Sequence, residues 1–342
     1  MNTLSIAEQF DKLPLPSVPH RDGETFSAVA LENWPEHRVA KDAKGNACIL
    51  LAGLSEGAPS AVQLKHIDVK HQLRCRILRS NEQTSLSEDG CFSIIRCTSI
   101  DFHLQQHFLR LAETVVGIIG KNPTPARVTS GILTLASLFE SINQAARREA
   151  QGVWSELFLI EQSGKPETLV ASWHPDPANM FDFTMNRERL EVKSTTATRR
   201  AHTFSLEQLY PPNGVTLVVA SVRAQRVSSG TSTAQLLDRI SRRLTTPALQ
   251  LQLQSAFHAI VGQQLESTLE AQFDYDQARE SLAFFEGTVI PKLPNETPQG
   301  VSDVRFKSDL TNCLKLSSQE AQCLGVLYQA CFPKIAAEPC HT

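Results

Sequence analysis

Much is missing from this chain, and each absence removes a class of function. The eight cysteines are Cys48, Cys75, Cys91, Cys97, Cys313, Cys323, Cys331 and Cys340. No two of them form a C-x2-C pair, which argues against a zinc knuckle. No stretch reads G-x-G-x-x-G or as a Walker A loop, so dinucleotide and ATP-driven chemistry are not indicated. No G-x-S-x-G nucleophile elbow is found either. There is no excess of positive charge: 33 Lys+Arg face 36 Asp+Glu, for a formal net charge of -3. Nucleic-acid contact would therefore need a local basic patch. No apolar run reaches the length of a membrane span. The opening stretch from Met1 to Glu24 has neither a basic nor an apolar targeting region. The expectation is a soluble, cytoplasmic protein with free buried thiols and no membrane partner.

The 342 residues are 41% hydrophobic and 20% charged, enough apolar side chain for real cores and too little charge for disorder. Thr3 to Lys12 reads as a short helix before a proline-rich arm. Phe26 to Cys97 carries strand signals, with Glu88-Asp89-Gly90 as a turn. Residues 1–100 are thus expected to form a β-rich domain. Helical spacing follows over residues 101–150, first to Gly120, then from Arg127 to Ala150 after the breakers Pro123 and Pro125. Val153 to Ile160 continues as helix. Val215 to Val222 is apolar, β-branched and bounded by turns, which fits a buried central strand. Helix, strand, strand, helix, strand and helix over residues 151–245 indicate an α/β core. Residues 246–342 read as a long helix from Ala248 to Glu270, a strand from Phe284 to Ile290, and a tail packing on the core.

The stretch from Phe181 to Lys193 concentrates chemistry. It reads as two strands joined by a polar hairpin: Phe181-Asp182-Phe183, and Leu190-Glu191-Val192-Lys193. Alternate side chains share a face, so Glu191 and Lys193 lie together opposite Leu190 and Val192. Glu-Val-Lys alone describes many exposed strand faces. Here it has an Asp on a hairpin partner, a Glu on the helix upstream, and a buried strand downstream. Phosphodiester hydrolysis needs a divalent metal to neutralise developing charge, and hard cations take oxygen ligands. Asp182 and Glu191 are the expected ligands. The Val192 carbonyl would be a third, and Glu156 would bind directly or through water. Lys193 would position the attacking water or stabilise charge. Arg187, Arg189, Lys193, Arg199 and Arg200 outnumber Glu188 and Glu191 over residues 187–202, and with His202 they suggest a positive rim for phosphate contact. His174, beside Trp173, reads as a structural loop histidine, with substrate contact as the other reading. Asp303 and Arg305 read as a buried pair locking the C-terminal strand, with substrate contact or assembly as the other reading.

Glu156, Phe181-Asp182-Phe183 and Glu191-Val192-Lys193 together resemble the PD-(D/E)XK pattern of the restriction-endonuclease-like fold. Gly152 to Leu157, Glu191 to Thr195, Ser205 to Leu209 and Gly300 to Phe306 narrow the resemblance to a bacterial family labelled PD-(D/E)XK motif protein. The likeness covers roughly residues 30–315. It implies a restriction-endonuclease-like α/β core of α+β class, with an N-terminal β-rich domain and helical connections. It also implies a Mg2+- or Mn2+-dependent DNA endonuclease of a restriction or phage-defence cluster, with DNA methyltransferase and helicase-like ATPase partners. Gln208 falls where this fold often places a polar residue facing the site. Cutting both strands would call for a homodimer or a partner. The other reading is a non-catalytic nuclease-fold subunit that binds DNA or scaffolds a complex. Phe181 stands where the motif has proline. A literal Pro175-Asp176 lies upstream in a loop, and strand context favours Asp182.

Overall fold

The structure is a computed structural model that describes residues 5–16, 24–52, 62–63, 66–81, 84–99, 102–121, 123–141, 149–174 and 179–332. It divides into two compact units, residues 1–144 and 145–342. Among the described residues, no helix is long and apolar enough to cross a membrane.

The first unit begins with α1 (Ile6–Asp11), closed by a Ser5–Glu8 capping box. Among the described residues six strands follow: β1 (Glu24–Ala30), β2 (Arg38–Asp42), β3 (Ala47–Leu51), β4 (Val62–Gln63), β5 (Ile67–Asn81) and β6 (Thr84–Cys97). They run in the order β1-β2-β3-β6-β5-β4, and a parallel β1–β5 pairing closes the sheet on itself. Phe26, Ala28, Ala40, Cys48, Leu50, Cys75, Ile77, Phe92 and Ile94 fill its core. The helices α2 (Phe102–Ile119) and α3 (Pro125–Ser141) belong to the same unit.

Local signals mislead here in two places. Glu88-Asp89-Gly90 is not a turn; it lies inside β6, opposite Ile77, Arg76 and Cys75. The ladder and the Arg76–Asp89 ion pair at 3.0 Å override turn chemistry. The Phe92 ring lies against Gly90, where an added Cβ would stand 2.5 Å from it. Pro125 opens α3 rather than only breaking what precedes it, since the first helical position needs no N–H. The second helix expected to reach Ala150 is described as far as Ser141, and residues 142–148 lie outside the described ones.

The second unit begins with α4 (Ala150–Gln162) and α5 (Pro166–Ser172). Then come β7 (Phe183–Met185), β8 (Glu188–Thr195), β9 (Ala201–Ser205), a 3-10 turn at Glu207–Leu209, β10 (Thr216–Arg223) and β11 (Arg226–Ser232). The chain continues through α6 (Thr233–Arg243), α7 (Pro247–Val261), α8 (Leu265–Glu270), β12 (Gln272–Phe273), α9 (Tyr275–Ser281) and β13 (Ala283–Glu286). Among the described residues, the last elements are β14 (Arg305–Asp309), α10 (Ser318–Leu324) and α11 (Val326–Cys331). The main sheet has four strands in the order β13-β10-β8-β7. β8 and β10 are parallel, and the other two pairings are antiparallel. β10 is the buried central strand its sequence indicates. The class is mixed α+β.

Two boundaries and one burial differ from the sequence reading. The long helix from Ala248 breaks at Gly262, whose φ of 46° leaves the helical region. The strand expected over Phe284 to Ile290 ends at Glu286. Asp303 and Arg305 are exposed rather than a buried pair, since only Ser308 is fully buried along β14. Of the described thiols, Cys48, Cys75, Cys97 and Cys331 are buried, but Cys91 and Cys323 are exposed.

The first residues of β8 are clamped from the far end of the chain. The buried Tyr328 hydroxyl accepts the Arg189 N–H at 3.0 Å and donates to the Thr216 carbonyl at 2.8 Å, joining β8 to β10. Burial raises its pKa to about 12, so it stays a donor at working pH. The Glu188 carboxylate accepts the Leu327 N–H at 2.7 Å at the start of α11. Tyr328→Phe keeps the ring but orphans these groups, and should lower stability by about 1–3 kcal/mol. The check is a thermal melt, where roughly 2–4 °C are expected per kcal/mol for a unit the size of residues 145–342. An unchanged Tm would show that the clamp contributes nothing.

Candidate functional site

The hairpin turns at Asn186-Arg187, where Asn186 takes a φ of 49°. Its register pairs Phe183 with Leu190, Thr184 with Arg189 and Met185 with Glu188. Asp182 therefore lies one position before β7, opposite Glu191 in the extended register, and is not itself in a strand. Its side chain does what the ladder would have done there: Oδ2 accepts the Val192 N–H at 2.7 Å. Its carbonyl accepts the His174 N–H at 3.0 Å. The carboxylate is fully buried.

Glu156 comes from α4, which is buried continuously from Val153 to Ile160. That helix is apolar around this stretch, so the carboxylate is enclosed, 1% exposed. A buried charge is tolerated only with hydrogen-bonding or ionic partners. Glu156 Oε2 accepts the Trp173 indole N–H at 2.8 Å, and His174 Nε2 lies 2.8 Å away. One donor atom each from Glu156, His174 and Asp182 lies within 4.8 Å of the others. Sequence reasoning misses His174 as a member of this set. Its spacing of eight residues from Asp182 follows no strand or helix period, and only its place next to Trp173 marks it out.

Glu191 and Lys193 share a face of β8, as alternation requires. Glu191 is fully buried, and its Oε1 meets Lys193 Nζ at 2.7 Å and Gln208 Nε2 at 2.8 Å. Its Oε2 is buried with no hydrogen-bond partner among the described residues. Lys193 Nζ also stands 5.2 Å from the centre of the Phe204 ring. Gln208 begins no regular helix. It sits in the 3-10 turn, held by reciprocal bonds with Ser205: Ser205 N–H to Gln208 Oε1 at 3.1 Å, and Gln208 N–H to Ser205 Oγ at 3.3 Å.

The expected positive rim is divided. Arg187 is exposed at the hairpin tip, four residues along β8 from Glu191, or roughly 13 Å of strand. Arg199 is exposed and paired with Asp309 at 2.6 Å. Arg200 and His202 turn inward instead. Arg200 donates to the Ser221 carbonyl at 2.8 Å, to Ser221 Oγ at 2.9 Å and to the Ser281 carbonyl. His202 is 4% exposed, with Nε2 2.8 Å from Ser221 Oγ. The reason is strand alternation: His202 and Phe204 take the buried face of β9, while Ala201 and Thr203 take the exposed one. Asp176 of the literal Pro-Asp lies outside the described residues.

The donor set fits a divalent cation. Glu156, Asp182 and His174 converge, and Glu191 keeps a buried oxygen without a hydrogen bond among the described residues. A buried carboxylate oxygen in that state is expensive unless a cation completes it. A carboxylate and a lysine on one strand, a second carboxylate at the start of its hairpin partner, and a third from the helix behind define the PD-(D/E)XK nuclease class of fold. The chain belongs to the family described as "Putative PD-(D/E)XK family member, (DUF4420)", whose model matches residues 6–311. No curated protein and no solved structure matches it.

Burial lowers the His202 pKa to about 4, and the charges of Lys193 and Arg200 add to this against an opposing pull from Asp309. Above pH 6.5 the imidazole is neutral in both folded and unfolded chains. Between 6.5 and about 4 the unfolded chain takes up a proton that the folded chain refuses, so stability falls as pH falls. His202→Gln retains a hydrogen-bonding side chain and removes this titration. Denaturant melts at pH 7 and pH 4.5 should differ more for wild type, by on the order of 2–3 kcal/mol, than for the variant. Equal differences would mean that His202 is not held neutral.

Proposed function

We propose that this protein is a metal-dependent DNA endonuclease acting in the cytoplasm as a component of a restriction-modification or anti-phage defence system. The observation that carries the reading is Glu191. Lys193 and Gln208 hold its Oε1, while its buried Oε2 has no hydrogen-bond partner among the described residues, on the strand beside Asp182. A Mg2+ or Mn2+ ion bound here would neutralise charge on a phosphodiester and acidify a water.

The chain's own residues divide the remaining work. Asp182, Glu191 and Glu156 would hold the ion, with the Val192 carbonyl as a further oxygen. The Val192 N–H fixes the Asp182 carboxylate, and the Trp173 N–H fixes that of Glu156. Lys193 would orient the attacking water or stabilise charge building on the phosphate oxygens. Gln208 keeps Glu191 in place. Arg187 and Arg199, both exposed, suit phosphate contact. Arg200 and His202 would support the wall behind Lys193 rather than touch DNA. Cutting both strands would use a second copy of the chain or a partner. Methyltransferase and helicase-like ATPase partners would supply target choice, in keeping with a net charge of -3.

The test is cleavage of methylated and unmethylated plasmid with Mg2+ or Mn2+, alone and with the proteins of its gene cluster. Lys193→Ala and Asp182→Ala should each reduce cleavage at least about a hundredfold with the fold intact by circular dichroism. Full cleavage by Lys193→Ala would overturn the mechanism. Loss in Asp176→Ala with cleavage kept in Asp182→Ala would overturn the ligand assignment. No cleavage by wild type under any of these conditions would favour a DNA-binding or scaffolding subunit.

A further inference from the structure

We infer that His174 is a direct ligand of the bound cation, and that the site thereby favours a first-row transition dication such as Mn2+ over Mg2+. This rests on the metal-site reading above and adds to it the ion's chemical class. Three observations carry it. A ring nitrogen of His174 belongs to the converging set with Glu156 and Asp182, whose donor atoms lie within 4.8 Å of one another. Ligands around an octahedral ion with bonds of about 2.1 Å stand ~3–4.2 Å apart, so binding would need the set to close by a few tenths of an ångström at its widest and the 2.8 Å His174–Glu156 pair to open by a similar amount.

Second, the imidazole is held in place. The His174 N–H donates to the Asp182 carbonyl at 3.0 Å, so ring and carboxylate are tied by one backbone bond. The residue takes a φ of 40°, a region that side-chain-bearing residues enter at some cost and retain where the surroundings enforce it. The ring packs against Trp173 with centroids 5.7 Å apart. Third, the exposure is graded. The His174 side chain is 12% exposed while that of Glu156 is 1% exposed, so the imidazole stands at the solvent side of the set. A histidine serving only to satisfy Glu156 would duplicate the Trp173 N–H, which already reaches the same Oε2 at 2.8 Å.

The chemistry follows from the ligand types. Mg2+ takes oxygen ligands and gives up water reluctantly. Imidazole nitrogen raises affinity along the first-row transition series instead. An imidazole added to the three carboxylates and the Val192 carbonyl would therefore discriminate against Mg2+ where the all-oxygen set alone would not.

The experiment titrates the full-length, metal-stripped protein with Mn2+, following free Mn2+ by electron paramagnetic resonance. Bound Mn2+ is then examined by pulsed measurements for coupling to 14N. Wild type should show nitrogen coupling. His174→Ala and His174→Gln should lose it and bind Mn2+ at least about tenfold more weakly. His174→Asp, an all-oxygen set, should shift the Mn2+/Mg2+ competition toward Mg2+ by a similar factor. Mn2+ bound by wild type without nitrogen coupling, or with affinity and preference unchanged in the variants, would overturn the inference and leave the metal site standing. Asp182→Ala separates the two failures: if wild type binds no Mn2+, or binds it as well without Asp182, the site reading itself fails. If the variants do not fold, the nitrogen coupling of wild type still decides, since its absence refutes direct ligation.

Discussion

The hydrogen bond from the Val192 N–H to Asp182 Oδ2, 2.7 Å long and buried, is the contact on which the rest of the site depends. It forms because β7 starts one residue late. At that rung β8 meets a carboxylate where a strand would offer a carbonyl. The exchange satisfies a buried donor, which an unpaired edge would have left open. It also fixes an anionic side chain at the Glu191 level of β8. The Asp182 carbonyl remains for the His174 N–H, and this brings the imidazole to the same place. One late strand start thus organises residues from three segments.

The frame around that contact keeps β8 from shifting. A one-residue slip would turn Glu191 and Lys193 to the opposite face and Leu190 and Val192 into the site. Parallel pairing with β10 runs the whole length of β8, from Glu188 opposite Thr216 to Thr195 opposite Arg223. The Tyr328 hydroxyl and the α11 N-terminus hold its start, and Arg200 and His202 brace Ser221, which lies opposite Lys193 on β10. The two basic residues that look from sequence like part of a phosphate-binding rim thereby act on the site from within the protein. Their inward direction is already present in the alternation of Ala201-His202-Thr203-Phe204, where the aromatic marks the buried face.

What the sequence makes legible follows from the range of the forces involved. Period-2 alternation puts Glu191 and Lys193 on one face, and β-branched content marks β10 as central. Both are local properties and both hold. The resemblance in ordered segments matches the family to which the chain belongs. Strand ends are less legible, because they depend on which partner meets them. The pattern around Asp182 reads as strand, and Glu88-Asp89-Gly90 reads as a turn, yet cross-strand contacts decide each. His174 escapes the sequence reading for a related reason. Its approach to Glu156 joins a loop to a helix eighteen residues earlier, and no periodicity encodes that distance.

The burial of the carboxylates gives the last step. Glu156, Asp182 and Glu191 are 1%, 0% and 0% exposed. A sequence selected only for stability would place an amide or an apolar side chain at such positions, because desolvating a carboxylate is unfavourable even when it is paired. Neutral donors offset part of the desolvation here, the Val192 N–H, the Trp173 N–H and the Gln208 amide, and the Lys193 ammonium offsets part of that of Glu191. Neutral donors hold a carboxylate in place without neutralising its charge, and Glu191 Oε2 has no hydrogen bond among the described residues. The arrangement therefore stores anionic character behind low-dielectric walls, where attraction for a small dication is stronger than in water. A cation bound only by the folded state would in turn stabilise the fold by mass action. Stability given up to keep three carboxylates buried would be recovered on binding, so the same residues that weaken the fold by themselves would strengthen it once they share an ion.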